Sequence, residues 1–96
     1  MEPQTSGEKA PTHKPVIEKT ESGVRIHIGQ MPHTMDPDHY ISWIEVEKDG
    51  NTVRKDLKPG EKPEAEFEVD QPNVTRALCT THGLWETKLS WQSNTH

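Results

Sequence analysis

The run Tyr40-Ile41-Ser42-Trp43-Ile44-Glu45-Val46-Glu47-Lys48-Asp49-Gly50-Asn51-Thr52-Val53-Arg54-Lys55-Asp56-Leu57 decides the fold class. Tyr40 to Glu47 is dense in β-branched and aromatic residues, the composition of a strand buried on both faces. Asp49-Gly50 comes next, two residues that both accept positive φ and so close a tight hairpin. Val53 to Leu57 then reads as the returning strand.

Working outward, the same grammar repeats. On the N-terminal side, Val24, Ile26 and Ile28 alternate with Arg25 and His27, the period of two that marks a half-buried strand. On the C-terminal side, Pro59-Gly60 fits the two central positions of a type II turn. Ala65, Phe67 and Val69 alternate with Glu64, Glu66, Glu68 and Asp70, a strand with one wet, acidic face. Val74 to Thr80 and Leu84 to Trp91 supply two more strands. No stretch of useful length has a helical period, so the pattern predicts an all-β protein, an antiparallel β-sandwich. Residues 1–12 are polar, carry Pro3, Gly7 and Pro11, and are expected to form a flexible N-terminal arm. Residues 13–96 form the single expected domain.

The apolar supply is thin. Leu, Ile, Val and Phe together number 16 of 96 residues, below the roughly 20% at which disorder becomes a competing outcome. A domain this small also leaves much of its surface unburied, so a metal or a partner subunit is expected to help hold it together. The formal charge of −5 argues against nucleic acid, which needs a basic face. An anionic substrate would have to be drawn in by a local positive field. A single cysteine excludes an internal disulfide framework, and neither a signal-like leader nor a membrane-spanning run is visible. A reducing cytoplasm is the expected location.

Three short stretches hold the candidate ligands: His13-Lys14-Pro15-Val16-Ile17 ahead of the first strand, His33-Thr34-Met35-Asp36-Pro37-Asp38-His39 leading into Tyr40, and Cys79-Thr80-Thr81-His82-Gly83-Leu84-Trp85 between the last two strands. The Cys79-x-x-His82 spacing lets one thiolate and one imidazole reach the same ion, with turn N–H groups aimed back at the sulfur. Taken alone it is equally a small buried cysteine beside a surface histidine. Four of the six histidines fall in these stretches. His27 reads as exposed by its phase on the strand, and His96 is the last residue; neither is a candidate.

The order His, then His-x5-His running into Tyr-Ile-x-Trp-Ile-Glu, then Cys-x-x-His-Gly-Leu-Trp, resembles the superoxide reductases, and more narrowly the one-iron neelaredoxins and the catalytic domain of desulfoferrodoxin. The resemblance runs from about His13 to Trp85. It implies an immunoglobulin-like sandwich of about seven strands carrying one mononuclear iron in a square-pyramidal site. His13, His33, His39 and His82 would be the equatorial imidazoles and Cys79 the axial thiolate, which pushes electron density toward the open site opposite. The implied activity is one-electron reduction of superoxide to hydrogen peroxide, with the iron re-reduced by a rubredoxin-like donor. A homo-oligomer, dimer or tetramer, is implied as well.

The chain departs from the family pattern in two ways. Much of the family carries a Glu-Lys pair directly before the first histidine; here Pro11 and Thr12 stand there, and Glu8-Lys9 lies three residues upstream. Lys9 and Lys14 are therefore the candidate sources of positive charge beside incoming superoxide. No four-cysteine iron domain precedes the catalytic part, so one iron centre is expected, and the chain is short enough to suggest trimmed loops between Asp49 and Asn73. The rival readings are a cupredoxin-like electron carrier and a non-enzymatic metal-binding sandwich. Copper carriers usually place a methionine after the last histidine, and this chain has none beyond Met35.

Overall fold

The structure is a computed structural model that describes residues 4–5, 13–29 and 34–89. Among the described residues seven strands follow in chain order: β1 (Pro15–Lys19), β2 (Val24–Ile28), β3 (Ile41–Lys48), β4 (Asn51–Asp56), β5 (Glu64–Phe67), β6 (Val74–Cys79) and β7 (Gly83–Lys88). They form a three-stranded sheet in the order β1-β2-β5 and a four-stranded sheet in the order β4-β3-β6-β7. Every pairing between these strands is antiparallel. This is the immunoglobulin-type arrangement with the fourth strand carried on the sheet of β3, β6 and β7.

The Asp49-Gly50 hairpin forms as expected, with φ of 50° and 86° at its two turn residues. Pairing starts at once, Lys48 opposite Asn51, so the returning strand begins two residues earlier than its apolar residues suggest. The Lys58-Pro59-Gly60-Glu61 turn is closed by the Glu61 N–H donating to the Lys58 carbonyl at 3.1 Å.

The core lies between the sheets. Val24, Ile26 and Ile28 face Ile44, Val46, Ala77 and Trp85, all of them essentially inaccessible to water. A register shift between Ile41 and Trp43 leaves Ser42 as an extra residue against β6. This bulge changes which face of the strand each side chain takes, so that Ile41 rather than Ser42 enters the core and pairs with Cys79. The outer face of the same strand is also covered. Glu45 is buried there beneath Arg54 and Arg76, which explains why the Tyr40–Glu47 run reads as buried on both sides. Among the described residues, no helix is long and apolar enough to cross a membrane.

Candidate metal centre

The candidate ligands sit where strands begin or end. His13 stands two residues before β1, His39 two residues before β3, Cys79 closes β6, and His82 stands just before β7. The sandwich brings these ends together. One donor atom from each of His13, His39, Cys79 and His82 lies within 4.8 Å of all the others. Lys14, adjacent in sequence, is half-buried. His33 and Lys9 lie outside the described residues.

Two of the candidate-ligand segments are aimed by local backbone. His39 ends a turn in which the N–H groups of Asp36 and His39 each donate to the other's carbonyl at 3.0 Å. Pro37 presets φ at the turn's first central position. The Thr34 hydroxyl donates to Asp36 Oδ2 at 2.9 Å, tying the start of the turn. On the other side, Cys79 pairs with Gly83 across a three-residue link. Gly83 has φ of 85°, the left-handed residue that such links require and that a side chain would strain. The Thr80 N–H donates to the Tyr40 carbonyl at 3.0 Å, and Thr80 Oγ1 accepts from the Tyr40 N–H at 3.2 Å. The Cys-x-x-His link is thereby fastened to the same chain segment that presents His39.

Nε2 of His13 lies 3.0 Å from Nδ1 of His82, and Sγ of Cys79 lies 3.8 Å from that same Nδ1. The link is short, and His82 accordingly offers the ring nitrogen nearer its backbone. The ring centroids of His13 and His82 are 4.8 Å apart at 86°, and those of His39 and His82 are 4.9 Å apart at 72°. Nitrogen donors at about 2.1 Å from one ion would stand about 3.0 Å apart at a right angle and about 4.2 Å apart in opposition. The 3.0 Å and 3.8 Å spacings fall in that range and the outer limit of 4.8 Å lies a little beyond it, so one ion of transition-metal size fits among these atoms once they draw in slightly. Three imidazoles and a thiolate suit iron, copper or zinc rather than calcium or magnesium.

Met35 Sδ accepts a hydrogen bond from the Ile41 N–H at 3.4 Å. Trp85, whose role is open on sequence grounds, is both core and site wall: it is 1% exposed and its ring lies 5.3 Å from that of His13. His27 is half-buried rather than exposed, with Nδ1 3.2 Å from the Gly29 carbonyl oxygen, and it stands apart from the cluster. Gln4 is not legible in the sequence as a site residue at all. Its side-chain amide donates to the His82 carbonyl at 2.6 Å, and a lone polar residue has no periodicity that could mark it.

Fold and site together define a β-sandwich with a histidine- and cysteine-rich metal centre at one end. The desulfoferrodoxin family model matches residues 5–88, and the chain belongs to that family. It is 47% identical over 87 residues to a desulfoferrodoxin homolog of Archaeoglobus fulgidus, covering 90% of this chain and 70% of the relative. Over 75 residues it is 47% identical to a desulfoferrodoxin homolog of Methanothermobacter thermautotrophicus, covering 76% of this chain but only 60% of the relative. Among solved structures it is similar to the superoxide reductase from Treponema pallidum, with a TM-score of 0.77 at 29% identity, covering 85% of this chain and 69% of that one.

Proposed function

We infer that this chain is a superoxide reductase, reducing superoxide to hydrogen peroxide at one mononuclear iron. The observation that carries the reading is the convergence of His13, His39, Cys79 and His82, drawn from three separate parts of the chain, to within 4.8 Å. Family membership and the likeness to the Treponema enzyme support it. His13, His33, His39 and His82 would hold the metal through neutral imidazoles and Cys79 through its thiolate, all within the single domain of residues 13–96. When bound, the iron supplies the single electron that superoxide takes up.

What the chain contributes is placement. The buried Cys79 and His13 keep one side of the site dry against Trp85, while His39 and His82 are only partly buried and leave a way in. A rubredoxin-like protein is the proposed electron donor and a homo-oligomer the proposed assembly. Stopped-flow mixing with reduced rubredoxin and sedimentation equilibrium check these two readings.

Protein purified without added metal should contain about one iron per chain and should turn blue on oxidation. Pulse radiolysis should show fast consumption of superoxide with peroxide as product. Copper or zinc in place of iron, or no reaction with superoxide, would overturn the assignment.

Lys14 is the proposed source of positive charge in a chain whose formal charge is −5; Lys9 is the second candidate. Lys14→Ala should slow the bimolecular step by less than about tenfold and flatten its dependence on salt, since a charge near the mouth steers encounter. Rates with unchanged salt dependence would assign the steering elsewhere.

The metal should also stabilise the fold, because it ties together segments that the thin core holds weakly. A ligand at a hundredfold excess over its Kd adds about 2.7 kcal/mol, which for a domain this small raises the midpoint by about 10–20 °C. Thermal unfolding of metal-loaded and chelator-stripped protein measures the difference. Equal midpoints would show that the sandwich stands without its ion.

A further inference from the structure

Gln4 makes three hydrogen bonds along the open edge of β7. Its N–H donates to the Leu84 carbonyl at 2.8 Å, its carbonyl accepts from the Glu86 N–H at 2.9 Å, and its side-chain Nε2 donates to the His82 carbonyl at 2.6 Å. The first two form a parallel bridge opposite Trp85. Such a bridge covers the edge strand and needs no particular side chain. The third bond is different in kind. It acts on the peptide group between His82 and Gly83, the one link in this hairpin with a positive φ on its far side.

We propose that Gln4 is a positioning residue for the metal centre, fixing the His82–Gly83 peptide through its side-chain amide and thereby the direction in which His82 presents Nδ1. The proposal rests on the reading that His82 binds iron. The physical case is one of freedom removed. The Cys79–Gly83 link is pinned at its start by the Tyr40–Thr80 bonds, and at its end Gln4 adds a side-chain bond to the ladder pairing of Cys79 with Gly83. With the His82 carbonyl released, φ and ψ of His82 can readjust together, and the change in φ swings its Cα–Cβ bond. Because Nδ1 is close to the backbone, the ring has little reach with which to compensate. Groups that orient a ligand from outside the coordination sphere commonly change metal affinity by 10–100-fold. The contact joins residues 78 apart in sequence, and the family match begins one residue after it, at residue 5.

The test uses Gln4→Ala and Gln4→Glu in the iron-loaded full chain. Both keep the main-chain bridge; the first deletes the amide, and the second keeps its size but presents acceptor oxygens to the His82 carbonyl. Iron release to excess chelator should accelerate about tenfold in Gln4→Ala and more in Gln4→Glu. The visible band of the oxidised centre should shift in both. Release rate and band position are the deciding readouts. If both stay at their unsubstituted values, the proposal is overturned, whether or not the melting midpoint of the metal-free protein falls, since a fall there alone marks a purely structural edge contact. His82→Ala serves as the reference. Should it keep the native band and hold its iron, it is the ligand reading of His82 that fails. Should it lose both while the Gln4 variants behave as the unsubstituted protein, only the role of Gln4 fails.

Discussion

Cys79→Ser should leave a folded protein whose colour is changed and whose superoxide reduction falls by about 100-fold or more. The backbone has no reason to move. Cys79 closes β6, pairs with Ile41 on one side and Gly83 on the other, and serine is close to it in size. Its side chain is 1% exposed and belongs to the core cluster, so exchanging a thiol for a hydroxyl costs about 1–2 kcal/mol in the metal-free form. The chemical difference is much larger. A thiolate is a soft, strongly donating ligand, and an alcohol oxygen is harder, weaker and protonated at neutral pH. In thiolate-ligated iron proteins the sulfur's electron density is what favours reaction at the open position. Pulse radiolysis of the variant, with metal analysis of the same sample, separates loss of reactivity from loss of iron. A rate near that of the unsubstituted protein would remove Cys79 from the reaction.

Much of this architecture is legible in the amino acids; the rest is hidden where a strand has no buried face or where a feature exists only between strands. The hairpin at Asp49-Gly50 and the alternation of Val24, Ile26 and Ile28 are local signals, carried by neighbours within a few residues, and the strands stand where those signals put them. The start of β4 is not visible, because all six of its residues are exposed and no apolar period marks an edge strand. The bulge at Ser42 is equally silent. It is a mismatch between β3 and β6, residues more than 30 apart, and only their pairing creates it.

For the site, the candidate-ligand types and spacings announce themselves, and the structure gathers His13, His39, Cys79 and His82. The supports around them escape notice. The Asp36–His39 turn looks like any Pro-containing loop, and Gln4 looks like arm. Glu45 reads as one more acid in a strand. It is in fact buried between two arginines from different strands. Periodicity describes one strand at a time, whereas these contacts exist only once strands are laid side by side.

The largest loss of stability is expected from Arg76→Met, on the outer face of the four-stranded sheet. Arg76 reaches three carboxylates: Glu45 Oε2 at 2.9 Å, Glu47 Oε1 at 3.0 Å and Glu86 Oε1 at 2.9 Å. The side chains of Glu45 and Glu86 are only 6% and 9% exposed. Glu45 is shared with Arg54, whose Nη2 lies 2.7 Å away and whose guanidinium stacks 3.9 Å above the Trp43 ring. A continuous charge ladder therefore crosses β4, β3, β6 and β7. Burial works against the charge on Arg76, but its hydrogen bonds to Glu45, Glu47 and Glu86 outweigh that and hold the guanidinium above its ordinary range. A base held above its unfolded value stabilises the fold fully below that value and loses the effect only as pH rises through the folded one. The contribution of Arg76 itself is therefore constant across neutral pH. Removing one partner from a buried network strands the others, which costs about 3–5 kcal/mol, a large share of the 5–15 kcal/mol that is typical for a whole domain. The midpoint of Arg76→Met should fall by about 15–30 °C. Methionine keeps much of the apolar stem, so lost packing is a minor part of this. Adding Glu45→Leu and Glu86→Leu to the same chain should recover most of the loss, because no buried charge is then left alone and Arg54, with 48% of its side chain exposed, can turn to water. Chemical denaturation of the single and triple variants, both metal-free, makes the comparison. If the single variant stays within about 1 kcal/mol of the unsubstituted protein, the ladder contributes no more than an exposed ion pair would.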